Sequence, residues 1–323
     1  MSPLGLALAG AGILAASAAL SLVLARAGRI ATGVALAGAL AGCGAGLWAA
    51  LAVLRSGLVL ETATSWQVPG GALVLGVDPL SAFFLVPLFV LGGLAAVYGR
   101  QSLGGHARPT LQIGAAAALN LLIAAMAGVL LARHALLFLV AWETMTLLAY
   151  WLVTLDHQEA EVRRAGWAYL VASHVGVVAL LALFLTLGRY AGGALDFASL
   201  EAASVSSRTA SAALFALALV GFGIKAGVAG LHVWLPEAHG AAPSHVSALM
   251  SGALIKLGVY GLVRVVSMLP PSSAYGAVLM GLGLAGALLG ITLAIDQRDL
   301  KRALAYSSIE NVGIVLLGLG LGL

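Results

Sequence analysis

The sequence predicts an all-α integral membrane protein with about ten membrane-crossing helices. Of its 323 residues, 62% are hydrophobic and 9% are charged, and the mean hydropathy is +1.07. A soluble domain carries about 25% charged residues, so this chain lacks the polar side chains that a water-facing surface needs. Its apolar residues also fall into runs of about 20, the length of helix that crosses a bilayer core of ~30 Å.

Ten such runs follow one another along the chain, and each predicts one helix. The first has no positively charged region before it and is long enough to span, so it is interpreted as a retained helix and not as a signal peptide. The predicted helices cover residues 3–25, 30–54, 78–98, 111–131, 134–155, 166–188, 210–231, 244–268, 275–295 and 301–321.

Basic residues in the loops predict the orientation, because cytoplasmic loops carry an excess of Lys and Arg. An N-terminus outside the cell places nine of them inside and five outside, which favours this orientation. The inside residues are Arg26, Arg29, Arg100, Arg108, Arg163, Arg164, Arg298, Lys301 and Arg302, and the outside residues are Arg55, Arg133, Arg189, Arg208 and Arg264.

Two connections between helices are unusual. The fourth and fifth helices are joined only by LLARHALLF, which predicts a tight antiparallel pair. The seventh and eighth are joined by LPEAHGAAPSH, in which Pro236 and Pro243 remove backbone donors. At membrane depth, irregular backbone survives only inside protein or beside water. Within this loop, Glu237 and His239 form either a mouth for ions or a simple solvated surface.

Four glutamate or lysine residues lie within the predicted helices and away from their ends. A charge at the centre of a lone transmembrane helix costs about 3 kcal/mol or more, so such residues usually face a bundle interior or an aqueous path. They are Glu143, followed on the same helix face by Thr146, then Lys225, Lys256 and Glu310.

Two histidines are spaced to lie beside the lysines. His232 follows Lys225 by seven residues, which nearly completes two helical turns. His245 precedes Lys256 by eleven residues, again on nearly one face. Burial lowers the pKa of a lysine and a nearby carboxylate raises it, so a buried lysine can exchange protons near neutral pH, whereas arginine stays charged. Histidine suits the positions between them because it titrates near pH 6.5.

The pattern therefore predicts a proton path, with a structural alternative beside it. Any one Glu–Lys pair could be an ion-pair staple between helices. Two lysines, two acids and aligned histidines on several helices favour transfer over staples alone. For His174, in YLVASHVGVV, a proton relay and an interhelical hydrogen bond are equally consistent with the sequence.

Other chemistries find little support. A single cysteine, Cys43, cannot hold an iron–sulfur cluster or form an internal disulfide. HVWLPEAH lacks the zinc-helix spacing, GALIKLG lacks the spacing of a phosphate-binding loop, and the basic residues do not cluster with aromatics as in a nucleic-acid interface. Trp151 and Trp234 are assigned to the interfacial aromatic belt. No cofactor, metal or catalytic residue is predicted.

Three blocks resemble a known family. FLVAWETMTLLAYWLV, GFGIKAGVAGLHVWLPEAHGAAPSHVSALMSGALIKLGVYGLVR and DQRDLKRALAYSSIENVGIVLLG are similar to the proton-conducting antiporter-like subunits of complex I, membrane-bound hydrogenases and Mrp-type antiporters. The resemblance covers residues 78–323. VDPLSAFF, EVRRAGWAYLVASH, APSHVSALMSG and SIENVG most resemble component B of hydrogenase-4 and the related membrane subunit of formate hydrogenlyase.

The resemblance implies roles for particular residues. Glu143 matches the family's fifth-helix glutamate and Lys225 the lysine of the broken seventh helix, and the two are expected to pair. Lys256 matches the eighth-helix lysine of the central polar axis. His232, His239 and His245 fall where the family places polar residues, and Glu310 stands where relatives often have histidine.

The resemblance also implies two inverted five-helix repeats. Residues 1–110 would hold helices 1–3, residues 111–268 the first proton-channel repeat with the broken helix 7, and residues 269–323 the start of a second, incomplete repeat. The expected exit path is then missing, so either the chain is a fragment or a second chain completes the channel.

These observations predict a proton-translocating subunit of a redox-driven complex in the bacterial inner membrane. Its partners would be other membrane subunits and peripheral hydrogenase or iron–sulfur subunits that carry the catalysis. A Mrp-type Na⁺/H⁺ antiporter subunit is the first alternative, and a non-transporting membrane scaffold is the second.

Overall fold

The computed structural model describes residues 1–103 and 109–323 of the chain. Within these residues, ten helical units are long and apolar enough to cross a membrane, in the order that the sequence predicts. The helices are α1 (Pro3–Val23), α2 (Arg29–Ser56), α3 (Pro79–Leu103), α4 (Pro109–Leu131), α5 (Ala135–Val153), α6 (Ala160–Tyr190), α7 (Phe197–Glu201), α8 (Arg208–Ala226), α9 (Trp234–Ala241), α10 (Ser244–Leu249), α11 (Ile255–Val266), α12 (Ser273–Ile295) and α13 (Leu300–Leu321). Arg108, assigned above to an inside loop, lies outside the described residues.

A β-hairpin that the sequence analysis missed precedes α3. Strand β1 (Leu60–Val68) pairs antiparallel with β2 (Gly71–Val77). The link between α4 and α5 docks on the hairpin, since the Arg133 amide donates to the Val74 carbonyl at 3.0 Å. The Leu195 amide likewise donates to the Gly70 carbonyl at 2.8 Å. We call this end of the bundle the hairpin end, and the opposite end, where α13 begins, the Arg302 end.

The seventh predicted helix is shorter than expected. A continuous helix over 210–231 was predicted, but α8 ends at Ala226. Gly227 caps it with a left-handed φ of 77°, and Gly230 follows with a φ of 85°. These conformations suit glycine and end the helix. The chain resumes as the short α9, so the break lies well before the prolines that signalled it.

The eighth predicted helix has an internal irregularity. A π-helical segment at Met250–Leu254 joins α10 to α11, and the three pieces form one membrane-crossing unit, Ser244–Val266. A π turn holds about one residue more than an α turn, so it rotates the helix face that follows. Lys256, just after this segment, is therefore turned away from the line that the eleven-residue spacing to His245 predicted.

Small residues bring neighbouring helices together. Between α12 and α13, a Cβ on Gly290 would lie only 2.5 Å from the Glu310 amide nitrogen. Between α1 and α2, a Cβ on Gly10 would lie 2.7 Å from the Gly42 carbonyl oxygen. Backbones that approach this closely are typical of helix pairs in membranes, where van der Waals packing replaces the hydrophobic effect.

Candidate functional site

Lys225 lies at the centre of the site and is almost completely buried, with 2% of its surface exposed. Its Nζ donates to Thr146 Oγ1 at 2.9 Å, to the Tyr169 hydroxyl at 3.3 Å and to Ser173 Oγ at 3.4 Å. An ammonium group has three donors, so the three hydroxyls can satisfy all of them. The Nζ atom also lies 5.0 Å from the centroid of the Tyr169 ring, within range of a cation–π interaction.

Thr146 accepts from the lysine because its own proton is used elsewhere. Its hydroxyl donates to the Trp142 carbonyl one turn earlier, at 2.9 Å. The remaining lone pairs face Lys225, while the Trp142 ring lies 5.6 Å from Nζ. Helix α5 therefore offers the buried ammonium group one hydroxyl acceptor and an aromatic ring, but no hydrogen-bonded carboxylate.

The break after α8 fixes where the lysine sits. Lys225 is in the last turn of α8, where the helix dipole favours positive charge. The first residue of α9 seals this end, because Trp234 Nε1 donates to the Ile224 carbonyl at 2.8 Å. Trp234 is only 2% exposed, so its predicted place in the interfacial belt is wrong, whereas Trp151 is 41% exposed.

Glu143 does not contact Lys225 in this structure, although the two were expected to pair. Glu143 Oε2 lies 3.7 Å from His174 Nε2 on the neighbouring α6. Its other oxygen, Oε1, is buried and has no hydrogen-bond partner among the described residues. The His174 side chain is 52% exposed, so the pair lies at the edge of the bundle. Thr146, one turn after Glu143, occupies the place beside Lys225 that the glutamate was expected to fill.

Lys256 is bound by the irregular segment that precedes it. Its Nζ donates to the Ser251 carbonyl in the π-helical segment at 2.9 Å. Ser251 Oγ lies 2.7 Å from Ser308 Oγ on α13. The Ser308 hydroxyl donates to the Leu304 carbonyl, so Ser251 is the donor between the two serines. Ser251 therefore binds the second lysine through its backbone carbonyl and α13 through its hydroxyl.

Two histidines lie in the broken region, His232 before Trp234 in the sequence and His239 after it. His239 is 1% exposed, and its Nδ1 lies 2.9 Å from Ser247 Oγ on α10, while Nε2 has no partner among the described residues. The His232 ring is half-buried, and its Nδ1 accepts from the Gly230 amide at 3.2 Å. His232 thus stabilises the break itself and does not bond to Lys225.

The loop that contains Glu237, interpreted above as either an ion mouth or a solvated surface, is held by an ion pair. Glu237 Oε2 accepts from Arg302 at 2.7 Å, with both side chains more than 40% exposed. Lys301 Nζ donates to the Ala242 carbonyl at 3.0 Å. Glu310 is half-buried on α13 and accepts from Ser307 of its own helix at 3.4 Å. Glu310 therefore bonds within its own helix and has no bond to Lys256.

His245 was predicted on the face of Lys256, but the structure places it apart. The ring packs on α3, where a Cβ on Gly99 would lie 2.8 Å from His245 Cδ2. The Tyr98 ring is 6.4 Å away between centroids. The π-helical segment accounts for this separation, since it lies between the two residues.

Sequence reasoning missed the α6 residues that complete the lysine site. Tyr169 and Ser173 are separated by four residues, so they share one face of an apolar helix. Both are buried, at 0% and 3% exposure. The spacing was a usable signal, because a Tyr–Ser stripe in a membrane helix needs polar partners.

A second missed group lies at the hairpin end, which we call the Asp78 network. Asp78 caps α3 and accepts a hydrogen bond from Arg264 at 2.9 Å. It also forms ion pairs with Arg264 at 2.6 Å and with the nearly buried Arg133 at 3.3 Å. Tyr260 bonds to both arginines, at 3.2 and 3.4 Å. Burial alone would raise the pKa of Asp78, but the Arg264 hydrogen bond and the charges of both arginines outweigh it and lower the pKa to about 2.

The site thus places Lys225 among three hydroxyls and Lys256 on a backbone carbonyl, each beside an irregularity in a helix. A protonated lysine is stabilised there by neutral acceptors, and its proton can leave without breaking a tight ion pair. Such an arrangement can hold and release protons.

Comparison with known proteins agrees with this architecture. The transmembrane family "NADH:quinone oxidoreductase/Mrp antiporter" matches residues 132–323. Hydrogenase-4 component B of Escherichia coli (strain K12) is 38% identical over 277 residues, which are 84% of this chain and 40% of that protein. The chain therefore spans about two fifths of the length of this relative.

Two solved structures share the fold. A chain of the Mrp complex from Dietzia sp. DQ12-45-1b superposes with a TM-score of 0.84 and 27% identity, over 99% of this chain and 34% of that one. A chain of the membrane-bound sulfane sulfur reductase, an archaeal respiratory membrane complex, gives a TM-score of 0.86 at 22% identity, over 97% and 64% of the two chains. By its sequence match over residues 132–323, this multi-pass membrane protein belongs to the NADH:quinone oxidoreductase/Mrp antiporter transmembrane family.

Proposed function

We propose that the chain is a proton-translocating membrane subunit of a redox-driven respiratory complex of the hydrogenase-4 or complex I type. It lies in the bacterial inner membrane with its N-terminus outside. Peripheral hydrogenase or iron–sulfur subunits handle the electrons, and other membrane subunits flank the chain. Residues 111–268 form the working repeat, residues 1–110 support it, and residues 269–323 begin a second repeat.

The burial of Lys225 in a cage of hydroxyls carries this proposal. A staple would pair the lysine with a carboxylate, since an uncompensated buried charge is costly. Lys225 instead bonds to Thr146, Tyr169 and Ser173, all uncharged. Neutral acceptors tolerate both the charged and the uncharged amine, as a proton carrier requires.

The proposed path runs along the Glu143–Lys225–Lys256 axis. Glu143 lies with His174 at the edge of the bundle, one helical turn from Thr146. Redox chemistry in the partner subunits moves Glu143 towards or away from Lys225. An approaching carboxylate stabilises the ammonium form, and its withdrawal drives the proton towards Lys256. His232, His239 and His245 connect the axis to water, and Glu310 continues it on α13.

A Mrp-type Na⁺/H⁺ antiporter subunit is the second candidate, favoured by the similarity to the Mrp complex of Dietzia. The two functions differ in their driving force. Inside-out vesicles that carry the chain acidify on adding an electron donor if the first proposal is correct. Sodium-dependent pH changes in the absence of any reductant would favour the second.

Replacement of Lys225 tests the proton-carrier role. Lys225→Ala and Lys225→Arg are both expected to abolish donor-driven proton translocation, since one removes the amine and the other holds a permanent charge. The exposed Arg208 gives a matched control, and Arg208→Ala is expected to keep translocation. Assembly is checked by affinity purification of the tagged chain with its partners.

A further variant, Lys225→Met, separates transport from a scaffold role. If the chain is only a scaffold, it translocates no protons, and an apolar methionine at this site should leave electron transfer and assembly intact. Proton translocation that persists in an assembled Lys225→Ala complex would overturn the proposed function.

A further inference from the structure

A cavity between α2, α3, α4 and α10 contains polar groups that the Glu143–Lys225–Lys256 axis does not use. Its polar lining residues are Thr32, Arg100, Gln112, Asn120 and His245. The cavity is large enough to hold a water molecule. Alanines that include Ala96 and Ala116 complete the walls. We call it the α2–α4 cavity.

His245 is the buried end of the α2–α4 cavity. The residue is 4% exposed, and its Nδ1 is enclosed without a hydrogen-bond partner among the described residues. Leaving a buried ring nitrogen unbonded costs about 1–3 kcal/mol. The ring meets the cavity through its other edge, since Cδ2 and Nε2 lie beside Gly99, which also lines the cavity. A buried water needs two to four polar partners, and Nε2 with the polar groups of this lining can supply them.

The opposite end of the cavity reaches the surface. Arg100 is exposed in the last turn of α3, and Gln112 lies in the first turn of α4. The Gln112 side-chain amide donates to the Arg100 carbonyl at 3.3 Å, which joins the two helix ends at the rim. The polar groups therefore extend from an exposed arginine to a buried imidazole, along one side of α10.

The other side of α10 carries a separate group. Ser247, two residues after His245, bonds to His239 in the broken region. Residues two apart on a helix point in nearly opposite directions. Helix α10 thus has one imidazole on each side, one facing the α2–α4 cavity and one facing the broken loop.

We propose that the α2–α4 cavity is a hydrated inlet through which His245 exchanges protons with the aqueous phase at the Arg302 end. It is a second entrance, distinct from the loop that contains Glu237 and His239. The proposal rests on the proposed function, since an inlet matters only if the chain moves protons. The hydration of the cavity, however, can be measured without any transport.

Silver ions provide the probe for hydration, because Ag⁺ is small and binds thiolates in narrow aqueous paths. The variant His245→Cys is made in a Cys43→Ala background, in the full chain within its native membrane complex. Thiols that escape Ag⁺ are counted by maleimide labelling after denaturation. Val140→Cys is the matched control, since Val140 is 56% exposed on the apolar outer face of α5.

A hydrated cavity predicts that the His245→Cys thiol reacts at least tenfold faster than the Val140→Cys thiol. Filling the cavity with Ala116→Leu should slow this reaction at least tenfold, and Ala96→Leu is a second filler should the first not assemble. Reaction no faster than the control means a dry cavity and overturns the proposal. So does a rate that neither filler changes, since access is then from elsewhere.

Translocation separates the inlet from the proposed function. Ala116→Leu with native His245 should lower donor-driven proton translocation at least threefold while the complex stays assembled. An unchanged rate would show that the cavity is not an inlet. Lys225→Ala should leave Ag⁺ labelling of His245→Cys unchanged, so failure of the Lys225 test refutes the function while the labelling result stands independently.

Discussion

The Asp78 network at the hairpin end should contribute a measurable share of stability, and Asp78→Asn tests it. This substitution changes the side-chain volume very little, but it removes the negative charge. The carboxylate lies 2.6 Å from the Arg264 guanidinium and 3.3 Å from that of Arg133. The Asp78 side chain is 13% exposed and that of Arg133 only 3%. The charges are therefore poorly screened by water.

The magnitude follows from the pKa of Asp78, which is lowered from 3.8 to about 2. Each pKa unit corresponds to about 1.36 kcal/mol, so the ionised carboxylate stabilises the fold by roughly 2–3 kcal/mol. Removing one partner of a buried ion pair costs about 3–5 kcal/mol, which Asp78→Ala should approach. Asparagine keeps part of the hydrogen bonding, so the lower range applies to Asp78→Asn.

The assay is the free energy of unfolding of the purified chain in mixed detergent micelles, at pH 7. Glu61→Gln is the matched control, because Glu61 is 45% exposed and lies 3.7 Å from the same Arg133. An exposed pair of this kind contributes at most about 1 kcal/mol. Equal losses in Asp78→Asn and Glu61→Gln would refute the reasoning.

The pH dependence of the free energy of unfolding separates the effect of the Asp78 charge from that of packing. Because the folded-state pKa of Asp78 lies below the unfolded one, its stabilisation is complete above about pH 4 and is lost as the pH falls towards 2. The gap between the native chain and Asp78→Asn should close over this window. A gap that stays constant from pH 7 to pH 2 would mean that shape, and not charge, stabilises the network.

Two further predictions concern the lysine site. Thr146→Val should lower proton translocation about tenfold or more, since a hydrogen bond to a charged group contributes about 1.5–3 kcal/mol. Thr144→Val is the control and should have no effect, because the exposed Thr144 hydroxyl donates to the Val140 carbonyl of its own helix. Gly227→Ala should destabilise the chain by more than about 1 kcal/mol in the same unfolding assay, because φ is 77° and the new Cβ would lie 2.5 Å from Leu235 Cδ1. Gly12→Ala, in a helix with nothing within 4 Å of the new Cβ, is its control and should be neutral or stabilising.

The helices were predictable because their signal is compositional. A bilayer-spanning helix needs about 20 apolar residues whatever its neighbours, so the order and number of spans follow from the sequence. The hairpin at 60–77 gave no such signal. It is stabilised by bonds to Arg133 and Leu195, which are remote in sequence. Its existence depends on tertiary contacts that local propensity does not contain.

The site was predictable residue by residue but not contact by contact. Lys225 and Lys256 stood out because a charge in an apolar run demands an explanation. Their partners did not follow, since charge pairing suggested Glu143, whereas the hydroxyls of Thr146 and Tyr169 surround Lys225. Helical spacing also assumed regular helices, and the π-helical segment before Lys256 invalidates the alignment with His245.

Both lysines sit where helical hydrogen bonding is interrupted, and this placement has a physical consequence. Lys225 lies in the last turn of α8, just before the break, and Lys256 donates to the Ser251 carbonyl of the π-helical segment. At Lys256 a carbonyl of the irregular segment accepts from the amine directly, whereas at Lys225 three side-chain hydroxyls do so. In both places the ammonium group is stabilised by dipoles, without a hydrogen-bonded carboxylate. A swap such as Glu143→Lys with Lys225→Glu therefore cannot rebuild the site, because the groups around position 225 are arranged for a cation. A scaffold built on a Glu–Lys staple would tolerate the swap, so its failure in an assembled complex would favour proton transfer.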